Sequence, residues 1–161
     1  MSPKLKVGEL VPDFELFDQN LNRFKLSEET KLKNLVVFFY PKDHTPSCTK
    51  EACCFRDNIE SFKEFETEII GISTDSIDTH QEFSSKNALN FRILSDKEGK
   101  AKKLFGVGKL LGLVPSRETY VIAKGGILLK KFSNYFNETK HIEEALVALK
   151  DRYSLSDSIK N

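Results

Sequence analysis

The 161-residue chain has no tryptophan, and its 13 phenylalanines are assigned to core packing and indicate no function. It also lacks any apolar run near the ~20 residues that span a bilayer, and its first residues have no hydrophobic signal core. We therefore expect no membrane partner and a cytoplasmic location, unless a targeting peptide has been removed. The 25 Lys and Arg residues nearly balance the 24 Asp and Glu residues, which gives no general reason to bind nucleic acid.

The chain has only three cysteines, Cys48, Cys53 and Cys54, all within seven residues. An odd number so closely spaced is not the disulfide framework of a secreted protein. The thiols are therefore reactive, metal-binding or merely buried. A metal site that also uses His44 is disfavoured, because the spacing does not follow a Cys-x-x-Cys pattern and Cys48 and Cys53 point apart on a helix. We expect no metal and no organic cofactor.

The hydrophobic pattern predicts an α/β fold with a mixed central sheet flanked by helices, formed by one domain over residues 1–161. The run LVVFFY at 35–40 is typical of a strand buried on both faces. The predicted strands are 14–17, 23–26, 35–40, 68–73, 91–94, 118–123 and 127–132, and the predicted helices are 46–65, 78–89, 97–105 and 138–152. Because ligands in such sheets bind beyond the carboxyl ends of the strands, the chemistry is expected just after strand 35–40.

Capping residues mark the predicted helix starts. Thr45 is suited to cap the helix after strand 35–40, with Pro46 in its first turn. Asp78 and Gln81 have the spacing of a capping pair, and Asn137 is the expected cap of the last helix.

The remaining histidines and one aromatic pair are predicted to have no chemical role. His80 and His141 lie in polar contexts and are expected to be solvated, and no Ser/His/Asp arrangement that would indicate a hydrolase is recognisable. Tyr135 and Phe136 are expected to pack in the core.

Cys48 falls in the first turn of the helix that follows strand 35–40. Free backbone N–H groups and the positive end of the helix dipole favour a thiolate there and can hold a polar ligand. The Thr45 hydroxyl, three residues earlier, can reach the sulfur. The alternative is a core cysteine, because Cys48 shares an apolar stripe with Ala52 and Phe55.

Cys53 projects about 140° away from Cys48 around the helix. Its predicted neighbours are charged, and a free cysteine on a charged face is unusual. It is either a redox partner of Cys48 or an incidental surface thiol. Cys54 is expected on the flank of the helix near the core.

Pro41, Thr45 and Cys48 together resemble the peroxiredoxin signature Pro-x-x-x-Thr/Ser-x-x-Cys. The longer string YPKDHTPSCTKEAC is similar to the Q-type, or bacterioferritin-comigratory-protein, branch of that family. The resemblance extends over residues 6–150 and is highly specific. Further matching strings are FRDN at 55–58, IGIS at 70–73, ILSDKEGK at 93–100 and SRETYVI at 116–122.

The resemblance implies a thioredoxin-like fold and a thiol-dependent peroxidase that reduces hydroperoxides. It makes Cys48 the peroxidatic cysteine and Cys53 the resolving cysteine. By the same resemblance, Thr45 hydrogen-bonds the peroxide, Pro41 shields the pocket and Arg117 stabilises the thiolate and the leaving oxygen. It also implies a thioredoxin-like protein reductant and a monomer. The alternative is a non-enzymatic redox sensor or chaperone on the same fold.

Some positions depart from the branch pattern. Ser47 and His44 stand where Gly and Asp are frequent, Cys54 often has a non-cysteine counterpart, and Ala123 replaces a common Asp. None of these belongs to the implied catalytic set. Glu51 matches a glutamate that commonly supports the site in the branch.

Overall fold

The most apolar stretch of the chain forms the centre of the sheet. In the computed structural model, which describes residues 5–110 and 114–160, the strand Asn34–Phe39 is buried along its whole length. It pairs in parallel with one neighbour and antiparallel with the other. With helices on both faces, this confirms the mixed α/β fold.

The sheet has seven strands in the order β2-β1-β5-β4-β3-β8-β9, and a separate two-stranded ribbon pairs β6 with β7. Strands β3, β4 and β5 are parallel to one another, and the outer pairings are antiparallel. The strands are β1 Glu15–Asp18, β2 Arg23–Lys25, β3 Asn34–Phe39, β4 Thr67–Ser73, β5 Arg92–Ser95, β6 Lys109–Leu110, β7 Val114–Pro115, β8 Glu118–Ile122 and β9 Leu128–Ser133. The ribbon was not predicted from the sequence.

In the described part of the chain, six helices accompany the strands: α1 Leu26–Glu29, α2 Pro46–Asp57, α3 Ile59–Lys63, α4 Ile77–Lys86, α5 Lys100–Leu104 and α6 Glu138–Lys160. Side chains of α2, α3, α4 and α6 pack on one face of the sheet, and side chains of α1, α5 and the segment before β1 pack on the other. Among residues 5–110 and 114–160, no helix combines the length and apolar character needed to cross a membrane.

Three helix predictions need correction. The helix predicted over 46–65 is broken at Asn58, whose backbone leaves the helical region and whose Nδ2 donates to the Cys54 carbonyl at 2.7 Å. Helix α4 is capped by Ser76, whose Oγ accepts the Thr79 N–H, and not by the predicted pair of Asp78 and Gln81. Helix α6 continues past the predicted end to Lys160.

The Asn137 cap predicted for the last helix is observed. Asn137 Oδ1 accepts the Lys140 backbone N–H at 3.2 Å. This bond fixes the start of α6 and therefore the position of Glu138, its first residue.

Gly71 in β4 allows the sheet to pack closely. A Cβ at this position would lie 2.9 Å from both Ile93 Cγ2 and Phe38 Cζ. We predict that Gly71→Ala lowers the free energy of unfolding by about 1–3 kcal/mol, the usual effect of overpacking a core. Gly108→Ala is the control, because its Cβ meets only Ser116 Oγ, at 3.7 Å. Urea denaturation should separate the two, and equal stability would contradict this packing argument.

Candidate active site

Cys48 lies both at a helix start and in the core, the two environments that the sequence left as alternatives. It is the third residue of α2, and its side chain is 1% exposed and packs in the same cluster as Ala52 and Phe55. It is therefore a buried cysteine in the first turn of a helix, where unpaired N–H groups and the helix dipole favour negative charge.

Arg117 reaches Cys48 because β8 lies antiparallel to β3. Glu118 pairs with Phe39 at the carboxyl end of β3, which places the preceding Arg117 beside the start of α2. Its side chain is 1% exposed, and Nη2 donates to Cys48 Sγ at 3.4 Å and to Ser47 Oγ at 3.0 Å. Strand periodicity alone would make Arg117 a surface residue, so the signal for this position was the resemblance.

Glu51 contacts the other side of the Arg117 guanidinium. Arg117 Nη1 donates to Glu51 Oε1 at 3.2 Å, and both side chains are buried. Burial raises the pKa of Glu51 to about 8, although Arg117 works in the opposite direction. Glu51 Oε2 is buried without a hydrogen-bond partner among the described residues. A protonated Glu51 leaves the Arg117 charge free for the sulfur.

His141 lies behind Glu51 and is fully buried, so the prediction that it is solvated was wrong. Its Nε2 donates to the Asn134 carbonyl at 2.7 Å, which leaves Nδ1 to accept the Thr119 hydroxyl at 2.7 Å. Both bonds suit a neutral ring, and burial lowers the pKa of His141 to about 4. Its four-residue spacing from the buried Ala145 was the sequence signal that placed it on the inner face of α6.

His80 is also buried, against the prediction, and it anchors the loop that leads to α2. Its Nδ1 lies 2.6 Å from Asp43 Oδ2, and Nε2 donates to the Leu94 carbonyl at 2.9 Å. Asp43 also accepts the Tyr40 hydroxyl at 2.6 Å. Asp43, Asp75 and His80 are close enough to surround a cation, but hydrogen bonds within the protein already engage their oxygens and nitrogens.

Thr45 and Pro41 border the site, but neither forms a hydrogen bond with the Cys48 sulfur. Thr45 stands at the N-cap position, but its hydroxyl makes no capping bond and donates to the Lys42 carbonyl at 2.8 Å. The predicted side-chain cap is therefore wrong. Pro41 lines a small cleft with Val107 and Ser116, the residue that precedes Arg117 in the chain.

Cys53 and Cys54 both lie farther along α2 as free, half-buried thiols. Cys53 Sγ lies 4.0 Å from Oδ1 of Asn87, the C-cap residue of α4, so this thiol contacts the end of a neighbouring helix and is less solvent-exposed than predicted. Cys54 packs against the core cluster as predicted, and burial raises the pKa of its thiol.

The aromatic pair before α6 lies at the edge of the site. Tyr135 places its ring 5.5 Å from the Arg117 guanidinium carbon, in cation–π range. Phe136 is 81% exposed, so the prediction that the pair packs in the core was wrong for Phe136. The hydrogen bonds that Asn134 Oδ1 accepts from the N–H groups of Phe136 and Asn137 shape this turn.

The raised pKa of Glu51 predicts a pH dependence of stability. Between about pH 5 and 8 the folded protein keeps a proton that the unfolded chain releases, so stability falls as pH rises. Glu51→Gln cannot titrate, and the unfolding free energy of the native protein should decline relative to this variant across that range. Urea denaturation at several pH values measures the difference, with Glu60→Gln on the exposed face of α3 as control. An unfolding free energy of the native protein that stays constant or rises with pH relative to this variant would show that Glu51 is ionised in the folded protein.

Comparison with known proteins agrees with this geometry. The model of the AhpC/TSA family matches residues 7–131. The chain is 45% identical over 147 residues to the chloroplastic peroxiredoxin Q of Sedum lineare, covering 91% of this chain and 78% of that protein. It is also 45% identical over 148 residues to chloroplastic peroxiredoxin Q of Arabidopsis thaliana, covering 91% and 68%.

Solved structures give the same result. Peroxidoxin BcpB of Mycobacterium tuberculosis superimposes with a TM-score of 0.84 at 37% identity, covering 91% of this chain and 97% of that one. The bacterioferritin comigratory protein of Xanthomonas campestris, which is described as having alkyl peroxide reduction activity, has a TM-score of 0.79 at 27% identity, covering 86% and 91%. With a thioredoxin-type fold and a buried cysteine facing an arginine, the chain belongs to the AhpC/TSA family, in its peroxiredoxin Q branch.

Proposed function

We propose that the chain reduces hydrogen peroxide and organic hydroperoxides with Cys48 as the nucleophile. Family membership implies a thiol-dependent peroxidase. The observation that carries the assignment of residues is the Arg117 guanidinium, which is buried and lies 3.4 Å from Cys48 Sγ. A buried cation beside a thiol at a helix start stabilises the thiolate that attacks peroxide.

In the first step, the Cys48 thiolate attacks one peroxide oxygen along the O–O bond. An S–O bond forms and the O–O bond breaks, which leaves Cys48 as a sulfenic acid and releases hydroxide or alkoxide to be protonated by solvent. Arg117 donates to the developing negative charge. The predicted bond from Thr45 to the peroxide requires its hydroxyl to leave the Lys42 carbonyl, and the shielding role of Pro41 stays a prediction.

In the second step, the Cys53 thiol condenses with the Cys48 sulfenic acid, forming a disulfide and releasing water. Both cysteines lie on α2. Residues five apart on a helix have Cα atoms about 8.6 Å apart, whereas a disulfide requires about 7 Å or less. The first turns of α2 must therefore unwind.

A thioredoxin-like dithiol protein then reduces the disulfide by thiol exchange. The cycle needs no metal or organic cofactor. The monomeric state and the cytoplasmic location expected from the sequence stay predictions, and the plant relatives are named as chloroplast proteins.

The three cysteines should give three different outcomes on substitution. Cys48→Ser should abolish turnover, because a serine hydroxyl is not appreciably ionised near neutral pH. Cys53→Ser should react with one equivalent of peroxide and stop as a trappable sulfenic acid. Cys54→Ser should turn over nearly normally and is the matched control. A coupled assay with thioredoxin and its reductase measures all three.

Two results would overturn parts of this assignment. Substantial turnover by Cys48→Ser would remove Cys48 as nucleophile, and peptide mapping of a Cys48–Cys54 disulfide would remove Cys53 as resolving cysteine. A native protein that reacts once and cannot be recycled by any dithiol would be a redox sensor and not a peroxidase.

Arg117 variants test the charge at the sulfur. We predict that Arg117→Ala slows oxidation of Cys48 about a hundredfold, the typical effect of losing one donor to a developing oxyanion. Arg117→Lys should fall between, because one ammonium cannot reproduce the planar fork that serves several acceptors. Competition with a haem peroxidase gives the second-order rate constant, and Arg152→Ala on the exposed part of α6 is the control. A native-like rate in Arg117→Ala would exclude Arg117 from the reaction.

A further inference from the structure

One glutamate of α6 holds the turn of α2 that contains Cys48. Ser47 Oγ donates to Glu138 Oε1 at 2.5 Å, and Lys50 Nζ lies 3.5 Å from Glu138 Oε2. Ser47 and Lys50 flank Cys48 on either side. The two helices are far apart in sequence, so Glu138 ties the start of α6 to the start of α2.

The Glu138 carboxylate is well suited to this contact. Partial burial works against its charge, but the Ser47 hydrogen bond, its own backbone N–H and Lys50 outweigh that effect, and the pKa of Glu138 lies below its usual value. Glu138 is therefore ionised at neutral pH. A hydrogen bond to an ionised acceptor is stronger than one between neutral groups.

The turn that Glu138 contacts is the one that must unwind before Cys48 can reach Cys53. The first backbone bond of this turn joins Thr49 N to the Thr45 carbonyl at 2.9 Å. Extending α2 away from this geometry requires Ser47 to leave Glu138. The bond therefore stabilises the wound form, in which Cys48 faces Arg117, against the unwound form, in which Cys48 can meet Cys53.

We propose that Glu138 is a positioning residue that keeps the first turn of α2 wound and thereby sets the rate of Cys48–Cys53 disulfide formation. This inference rests on the proposed function. Two reactions compete for the Cys48 sulfenic acid. Condensation with the Cys53 thiol gives the disulfide and water, whereas a second hydroperoxide oxidises the sulfur to sulfinic acid and is itself reduced to water or an alcohol.

A slower release of the turn lengthens the life of the sulfenic acid. Glu138 therefore also sets the peroxide dose at which Cys48 becomes over-oxidised.

The test begins with hydrogen–deuterium exchange of the reduced protein, which needs no peroxide chemistry. In Glu138→Ala the amides of Thr49 and Lys50 should exchange about tenfold faster, a factor equivalent to about 1.4 kcal/mol. Glu138→Gln keeps an acceptor for Ser47 and should restore most of the protection. Glu143→Ala, in an exposed ion pair with Lys140 on the same helix, is the matched control and should exchange like the native protein.

Quenched-flow mass spectrometry then follows one turnover. In Glu138→Ala the disulfide should form about tenfold faster, and half of Cys48 should become sulfinic acid only at a correspondingly higher peroxide dose. The change in this step should exceed any change in the first, peroxide-dependent step. Combining Glu138→Ala with Ser47→Ala should raise the disulfide rate by less than the product of the two single effects, because both substitutions remove the Ser47–Glu138 hydrogen bond. Each also removes a separate contact, that of Glu138 with Lys50 and that of Ser47 with Arg117.

The outcomes distinguish the proposed positioning role of Glu138 from the proposed function. Unchanged amide exchange at Thr49 and Lys50 in Glu138→Ala overturns the positioning role of Glu138, whether or not the protein reduces peroxide. Faster exchange without faster disulfide formation also overturns it, because release of the turn would not limit resolution. Loss of peroxide reactivity in the native protein, with the exchange result as expected, would instead overturn the proposed peroxidase function.

Discussion

Burying an arginine is costly unless its charge is shared among partners, and the arrangement around Arg117 answers that cost. The guanidinium contacts Glu51, Ser47 and the Cys48 sulfur, and a tyrosine ring lies over it. Burial favours the protonated form of Glu51. The Cys48 sulfur lies 3.4 Å from the guanidinium, so the contact that helps to accommodate the buried arginine is also the one that the proposed function uses to stabilise the nucleophile.

The sheet brings Arg117 to Cys48, and the stability of the start of α2 determines how long this contact persists. Pairing of β3 with β8 brings together two segments that are far apart in sequence, while α6 supports the site from behind through His141 and from the side through Glu138. The wound start of α2 favours attack on peroxide, whereas bonding to Cys53 requires it to unwind. In the proposed cycle, the stability of one helical turn therefore affects both steps.

The sequence was sufficient for the mixed α/β fold, because the buried strands are long apolar runs. It was also sufficient for the position of Cys48 in the first turn of a helix, because Thr45 and Pro46 mark a helix start shortly after one of those strands. It failed at His80 and His141, which were expected to be solvated and are held in the interior by hydrogen-bond partners from other segments of the chain. It also failed at Asn58, where a side-chain bond to the backbone breaks a continuous helical pattern. The role of Glu138 could not be predicted, because the contact depends on where α6 begins relative to α2.

The central claim is that Arg117 and the helix start make Cys48, alone among the three neighbouring thiols, the one that reacts with peroxide. Site-resolved trapping tests it most directly: Cys53→Ser protein is treated with less than one equivalent of hydrogen peroxide in the presence of dimedone, and the label is located by mass spectrometry. The account predicts label on Cys48 with little on Cys54. Comparable labelling of Cys54 would contradict it. So would labelling of Cys48 at an unchanged rate when Arg117 is replaced by alanine.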